Sequence, residues 1–347
     1  MRFISCLSLI ALLTIAPLTF AVDTPLSTIA FGSCVKEDLP QPIWGPINKA
    51  KPDMFIFLGD NIYGDTEDME VMRKKWNMLG AQPGYQELKA QATILATWDD
   101  HDFGVNDGGR EYPMRVESQK EFLDFFEEPA DSPRRKQEGI YDAKVFGPEG
   151  QRVQVILLDT RYHRSPLNKR TKVTHKAEGH NGGAAPNFSH DATILGETQW
   201  AWLEEQLKVP AEIRIVATSI QLIPDGHHYE KWGNFPLERE RFFQLVKATR
   251  ANGVILLSGD RHSSEISRMD AGVCYPLHEV TASALNRPNS WHNEINPHRV
   301  GVKYVDENFG VITIDWEDID PEVTLQIRDI DGEKRMLVNT TVGKLKP

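Results

Sequence analysis

Six apolar runs recur along the chain, at 27–31, 54–58, 93–97, 153–158, 213–218 and 254–257, and each ends in a polar cluster. Runs of this length bounded by turn residues read as buried strands of an α/β sheet. The clearest is Phe55-Ile56-Phe57-Leu58, which breaks at Gly59-Asp60. Between the runs, apolar residues return at helical spacing: Met69, Met72, Trp76 and Leu79 over 68–79, and Trp200, Leu203 and Leu207 over 197–207. Phe122, Leu123, Phe125 and Phe126 sit among charges over 115–127 and read as a third helix. Pro236 opens a fourth, which Asn252-Gly253 closes. Strands alternating with helices predict βαβ units and a largely parallel sheet. After 309 the pattern changes to alternation, at 310–316 and 323–327, and Asp331-Gly332 turns the chain into 335–342. These antiparallel strands are expected to complete a second sheet. Residues 161–194 keep no period and carry Gly182-Gly183 with His163, His175, His180 and His190, so they read as a functional lid or a mobile loop whose histidines are left out of the site.

The first 21 residues change the picture of where the protein works. Arg2, an apolar stretch over 7–20 and the ending Thr19-Phe20-Ala21 predict a secretory signal peptide over 1–21. The expected location is periplasmic or extracellular. No other stretch is long and apolar enough to cross a bilayer, so no integral membrane association is expected. Residues 22–347 carry neither a linker nor a repeat and are expected to form one domain. The 39 Lys and Arg stand against 50 Asp and Glu, a net charge of -11, which argues against stable nucleic-acid binding. A small phosphorylated substrate remains compatible, because a metal can supply local positive charge. Oligomeric state is not readable from this pattern.

Once Cys6 leaves with the signal, Cys34 and Cys274 remain. An oxidising compartment invites a disulfide between them. Cys34 also follows Phe31-Gly32-Ser33 at a strand end, where a thiolate is a good metal ligand, and that placement favours the ligand reading.

The strand ends gather chemistry: Cys34, Asp60 with Tyr63, Asp99-Asp100-His101-Asp102, Asp159-Thr160-Arg161, Ser219 with Gln221, and Gly259-Asp260-Arg261-His262. Three acids and a His after one strand repel each other unless a cation sits among them. Carboxylate, imidazole, phenolate and thiolate together exceed what one zinc takes and suit two or more metals. Such a site clamps the oxygens of an in-line displacement between ions about 3.5–4 Å apart, with a metal-bound hydroxide as nucleophile. Asp60 is the candidate bridge, and His101 the candidate for stabilising or protonating the leaving oxygen. Neither a Gly-x-Ser-x-Gly elbow nor a His-Glu-x-x-His helix is present.

Taken in order, Phe31-Gly32-Ser33-Cys34, Leu58-Gly59-Asp60-Asn61-Ile62-Tyr63, Thr97-Trp98-Asp99-Asp100-His101-Asp102, Leu158-Asp159-Thr160-Arg161, Leu195-Gly196-Glu197-Thr198-Gln199-Trp200 and Ser258-Gly259-Asp260-Arg261-His262 resemble the PhoD-type alkaline phosphatases, within the calcineurin-like metallophosphatases. The resemblance spans the chain from about Ile29 to its end. It implies an α/β sandwich of two mixed β-sheets flanked by helices, and hydrolysis of phosphate monoesters, diesters or both. By position it implies one metal on Cys34, Asp60, Tyr63 and His262 and a second on Asp60, Asp100 and Asp260, with His101 facing the phosphate and Arg161 helping to hold it. Iron and calcium are the ions it implies, with zinc or manganese as other candidates. The broader superfamily has Asn where Asp100 stands and His where Asp260 stands, so metal identity does not transfer from its zinc or manganese members. Glu230-Lys231-Trp232-Gly233-Asn234-Phe235-Pro236 lacks the second acid of the related segment, so no further calcium site is assigned to it. The competing expectation is a calcium-stabilised secreted binding protein of the same fold without turnover.

Overall fold

The computed structural model describes residues 24–169, 183–289 and 294–347; the expected signal peptide, His175 and His180 lie outside the described residues. The first of two mixed sheets holds β1 (Thr28–Gly32), β2 (Met54–Leu58) and β3 (Thr93–Thr97) in parallel. It continues antiparallel from β1 through β13 (Asn308–Asp315), β14 (Glu322–Asp329) and β15 (Lys334–Thr341). The second runs, in spatial order, β12 (Arg299–Tyr304), β10 (Ser264–Met269), β11 (Leu277–Ala282), β9 (Val254–Ser258), β8 (Ile213–Ala217), β5 (Val153–Leu157) and β4 (Asp142–Phe146). A short pair, β6 (Asn168–Lys169) and β7 (Ala184–Ala185), lies within the aperiodic stretch.

The C-terminal strands thus do not complete a second sheet. They extend the first, and the six apolar runs divide three and three between the sheets. Alternation states which face of a strand is buried but not which strand lies beside it. β1 takes a parallel neighbour on one edge and an antiparallel one on the other. That is how a chain of βαβ units acquires a mixed sheet.

β2 is apolar throughout because both its faces are covered. Met54, Ile56 and Leu58 join Ile29 and Phe31 in the core shared with Val155, Ile215, Leu257 and Val280 of the second sheet. Phe55 and Phe57 turn the other way, with Ala30, onto Trp44, Trp76, Tyr85 and Phe122. Those residues come from α1 (Trp44–Lys49), α2 (Met69–Gly80), α3 (Pro83–Gln91) and α5 (Arg115–Phe125), while α4 (Asp100–Phe103) follows β3. Full burial of each such side chain contributes about 1.5–3 kcal/mol, so the strand ends stand on a stiff floor. Asp68 caps α2 by accepting from the amides of Glu70 and Val71.

On the second sheet lie α6 (Gly196–Lys208) and α7 (Pro236–Thr249). The helix that opens at Pro236 ends earlier than Asn252-Gly253, at Arg250 in the left-handed region with φ 54°. The strands β10 and β11 carry no clean apolar signal because they bury polar groups that satisfy each other. Gln221 donates to Glu265 and Thr281, and Ser258 donates to Glu279. Cys34 and Cys274 are both free, so the disulfide is not formed. Among the described residues, no helix is long and apolar enough to cross a membrane.

Candidate metal centre

The ends of β1, β2 and β3 meet those of β8, β9 and β11 through backbone and side-chain bonds. Ser33 N donates to Ala282 O at 3.1 Å and Ser219 Oγ to Asp99 Oδ1 at 2.6 Å between the sheets, while Cys34 N to Gly59 O at 3.3 Å and Gly259 N to Ser219 O at 2.8 Å tie the ends within each. The two Gly-Asp pairs permit this approach. A Cβ on Gly59, whose φ is +97°, would stand 2.5 Å from Asp99 Cβ, and one on Gly259 would stand 2.4 Å from Ser33 Oγ. Cys34, Asp60, Asp260 and His262 then all adopt left-handed backbone, with φ of 59°, 50°, 59° and 52°. Such conformations cost about 1–3 kcal/mol each and persist where the surroundings over-determine them, typically at functional sites.

Within this rim the ligand atoms of Cys34, Asp60 and His262 lie within 4.8 Å of one another, as do those of Asp60, Asp100 and His101 and those of Asp99, Asp100 and Asp260. Tyr63 Oη donates to Asp60 Oδ2 at 3.3 Å. The structure therefore brings Cys34, Asp60, Tyr63 and His262 together as expected, while of the second expected set Asp100 groups with Asp60 and with Asp260 separately, and Asp99 stands with the latter pair. The loop histidines His163 and His190 belong to none of these groups.

The supports of these side chains are specific. Asp102 Oδ1 accepts from the amides of Asp60 and Asp99, and its Oδ2 from the amide and side chain of Asn61, so it ties the β2 and β3 ends together. His101 Nδ1 lies 2.7 Å from Asp65 Oδ1, and its ring packs 4.3 Å from that of Tyr63 at a tilt of 38°. His262 Nδ1 lies 2.6 Å from Arg287 O, which fixes the tautomer and leaves Nε2 as the free ligand atom. Ser283 Oγ accepts from the amides of Arg261 at 2.6 Å and His262 at 2.9 Å. Both its lone pairs are thereby used, so its own hydrogen is left for Cys34 Sγ at 3.2 Å.

Arg161 lies beneath the acids rather than open to solvent. It is wholly buried, Nε donates to Asp99 Oδ1 at 2.6 Å, Nη1 to Glu230 Oε2 at 2.5 Å, and Nη2 stands 3.9 Å from Asp100. Glu230 also meets Arg164 at 2.8 Å. The acid retained in the 230–236 segment is thus an anchor for two buried arginines.

Crowding sets the electrostatics. Burial pushes Asp60 up to about 6, against the pull of His101. Burial likewise drives Asp99 and Asp260 well above the carboxylate range, with Arg161 opposing. Burial works upward on Asp100 too, but His101 and Arg161 hold it below its ordinary value. On His101 burial is outweighed by Asp100, Asp60 and Asp65, which raise it to about 11. Burial draws His262 down to about 4, so it stays a neutral imidazole, and pushes the Cys34 thiol and Tyr63 phenol up. Asp60 Oδ1, Asp99 Oδ2 and Asp100 Oδ1 are buried without a hydrogen-bond partner. Orphaned carboxylate oxygens converging from two strand ends are costly unless cations neutralise them, and this donor set fits more than one metal ion.

Sequence patterning marked Asp99 and Asp102 only as members of a cluster, gave Asp65 no role, and did not single out Ser283 or Arg287. The three acids lie within the quoted motifs or next to them, but only the fold tells a support from a ligand. Ser283 and Arg287 lie in an irregular stretch after β11 with no local signal at all.

Relatives agree with this architecture. The solved structure of PhoD superposes with a TM-score of 0.68 at 18% identity, covering 93% of this chain and 70% of its own. Purple acid phosphatase PPD1 from yellow lupin (Lupinus luteus) seeds gives a TM-score of 0.63 at 13% identity, covering 92% of this chain and 54% of its own. Both share the fold. Alkaline phosphatase D of Bacillus subtilis (strain 168) is 22% identical over 292 residues, which are 71% of this chain. The chain spans about half the length of that curated relative, 48%. The profile of the PhoD-like phosphatases matches residues 29–314, from β1 through the last strand-end motif and into β13, and the chain belongs to that family.

Proposed function

We propose that this protein is an exported, metal-dependent phosphohydrolase that cleaves phosphate monoesters, diesters or both. The observation that carries this is the set of orphaned carboxylate oxygens on Asp60, Asp99 and Asp100 beside His101, an imidazole that Asp65 holds by Nδ1 at 2.7 Å. Cys34, Tyr63 and His262 with Asp60 suit iron, and Asp60, Asp100 and Asp260 suit a hard ion such as calcium, while zinc or manganese would also accept the carboxylate and imidazole donors. The ions, when bound, would supply Lewis-acid charge to the phosphoryl oxygens and lower the pKa of a water nucleophile.

The chain's own groups do the rest. Asp60 and Asp100 each stand in two of the ligand groups, and Asp60, which alone joins the Cys34 and His262 group to the other acids, would be the shared carboxylate. Asp65 orients His101 through Nδ1, leaving Nε2 to give its proton to the leaving-group oxygen. Arg161 holds Asp99 directly and faces Asp100, keeping both in place from below.

The test is elemental analysis and a visible spectrum of the purified protein, followed by rates on p-nitrophenyl phosphate and bis(p-nitrophenyl) phosphate before and after chelation. Activity lost with the metals and restored by them is expected. Metal retention without turnover of either ester would mean a binding protein that shares the fold. His101→Ala should lower the rate by about 10²–10⁴ with metal content unchanged; an unchanged rate removes His101 from the mechanism.

A further inference from the structure

Metal ions on the acids would meet the phosphoryl oxygens that face them, and a side-chain cation that solvent can reach would hold the oxygens that face away. Arg161, the arginine the sequence offered for this role, is wholly buried and clamped by Asp99 and Glu230. Lys75, which donates to the Tyr63 carbonyl, has its Nζ 3.5 Å from Glu37, and Lys36 Nζ is 3.3 Å from Asp38. Arg287 differs from all of these. Its backbone carbonyl is the atom that holds His262 Nδ1, so its Cα is fixed beside the ligand set. Its guanidinium carbon lies 4.6 Å above the Tyr63 ring, whose hydroxyl reaches Asp60. It is only partly buried, and no carboxylate pairs with it among the described residues. A guanidinium stacked on a ring keeps its in-plane N–H groups free, and that fork matches two oxygens of a phosphate.

Resting on the phosphohydrolase reading, we propose that Arg287 receives the phosphoryl oxygens of the substrate, bidentate, from the Tyr63 side of the centre. Arg161 then has no direct part in substrate binding. The Tyr63 ring limits the rotamers of Arg287 and so presets the fork. The same phenol ring also meets the His101 ring, 4.3 Å away between ring centres.

The experiment uses the metal-loaded full chain with inorganic phosphate as probe, measured as competitive inhibition and by titration calorimetry, alongside KM for p-nitrophenyl phosphate. Arg287→Ala should raise the phosphate Kd and KM together by about tenfold to a hundredfold, the loss of charge-assisted hydrogen bonds, at unchanged metal content. Arg287→Lys should fall between, because it keeps the charge and loses the fork. A phosphate affinity within about twofold of wild type in the alanine variant overturns the proposal. If that variant loses metal, Arg287→Gln, which still covers Tyr63, decides by the same criterion. A wild-type protein that is loaded with metal yet neither binds phosphate nor cleaves either ester fails the phosphohydrolase reading itself, whereas an active wild type with an indifferent Arg287 fails only this inference.

Discussion

On one flank of the centre, Cys34, Tyr63 and His262 are contacted by a single segment, residues 283–287. Ser283 donates to the sulfur, the Arg287 carbonyl orients the imidazole, and its guanidinium covers the phenol. On the other flank, Asp99 and Asp100 rest on Arg161, which Glu230 clamps from behind. The first flank is held mainly by neutral hydrogen bonds that set direction and tautomer. The second is held by a buried ion network that leaves an excess of negative charge facing the rim. Soft donors need orientation more than charge balance, whereas clustered carboxylates need a buried cation to be tolerated at all. The two flanks therefore call for different perturbations.

Asp60 belongs to both and should give the largest effect. Asp60→Asn is expected to abolish metal binding and turnover together, read by elemental analysis and ester hydrolysis on one sample. Retained activity would sink the shared-carboxylate model.

Next in size is the ion network. Arg161→Met takes a buried cation from Asp99, which keeps Ser219, and from Glu230, which keeps Arg164, and should destabilise the protein by about 3–5 kcal/mol in denaturant titrations. Pairing it with Asp99→Asn and Glu230→Gln should recover part of that loss. Stability equal to wild type in the single variant would mean the acid flank is held some other way.

The smallest effect tests the neutral flank. Ser283→Ala removes the O–H donor to Cys34 and the acceptor of two amides, and should weaken the thiolate-held metal by about 10–100-fold while metal on the acid flank is retained. Ser283→Thr should restore it. Equal loss at both flanks, or no change in the visible spectrum, would erase the distinction between them.

Much of the site was readable because its chemistry is local. Gly59-Asp60 and Gly259-Asp260 end apolar runs, and an acid at the carboxyl end of a parallel strand has a defined place in an α/β fold. The cluster Asp99-Asp100-His101-Asp102 announced a site by its repulsion alone. It did not announce its division of labour. Asp102 ties loops, Asp99 meets Arg161, and Asp100 with His101 faces the ligand group, although all lie within four consecutive positions. The placing of β13, β14 and β15 failed for a similar reason, since alternation carries no record of the neighbouring strand.

The order of apolar runs, the strand-end acids, the Cys34 thiol and the helices at 68–79 and 197–207 were determined by the sequence itself, through burial and periodicity that act over a few residues. Which sheet each strand joined, that Arg161 would be sealed below the acids, and that 283–287 would reach back across roughly 250 residues to Cys34 were decided only by the tertiary structure. Those facts depend on contacts between segments far apart in the chain, where no residue carries a mark of its partner until the strand ends have been packed together.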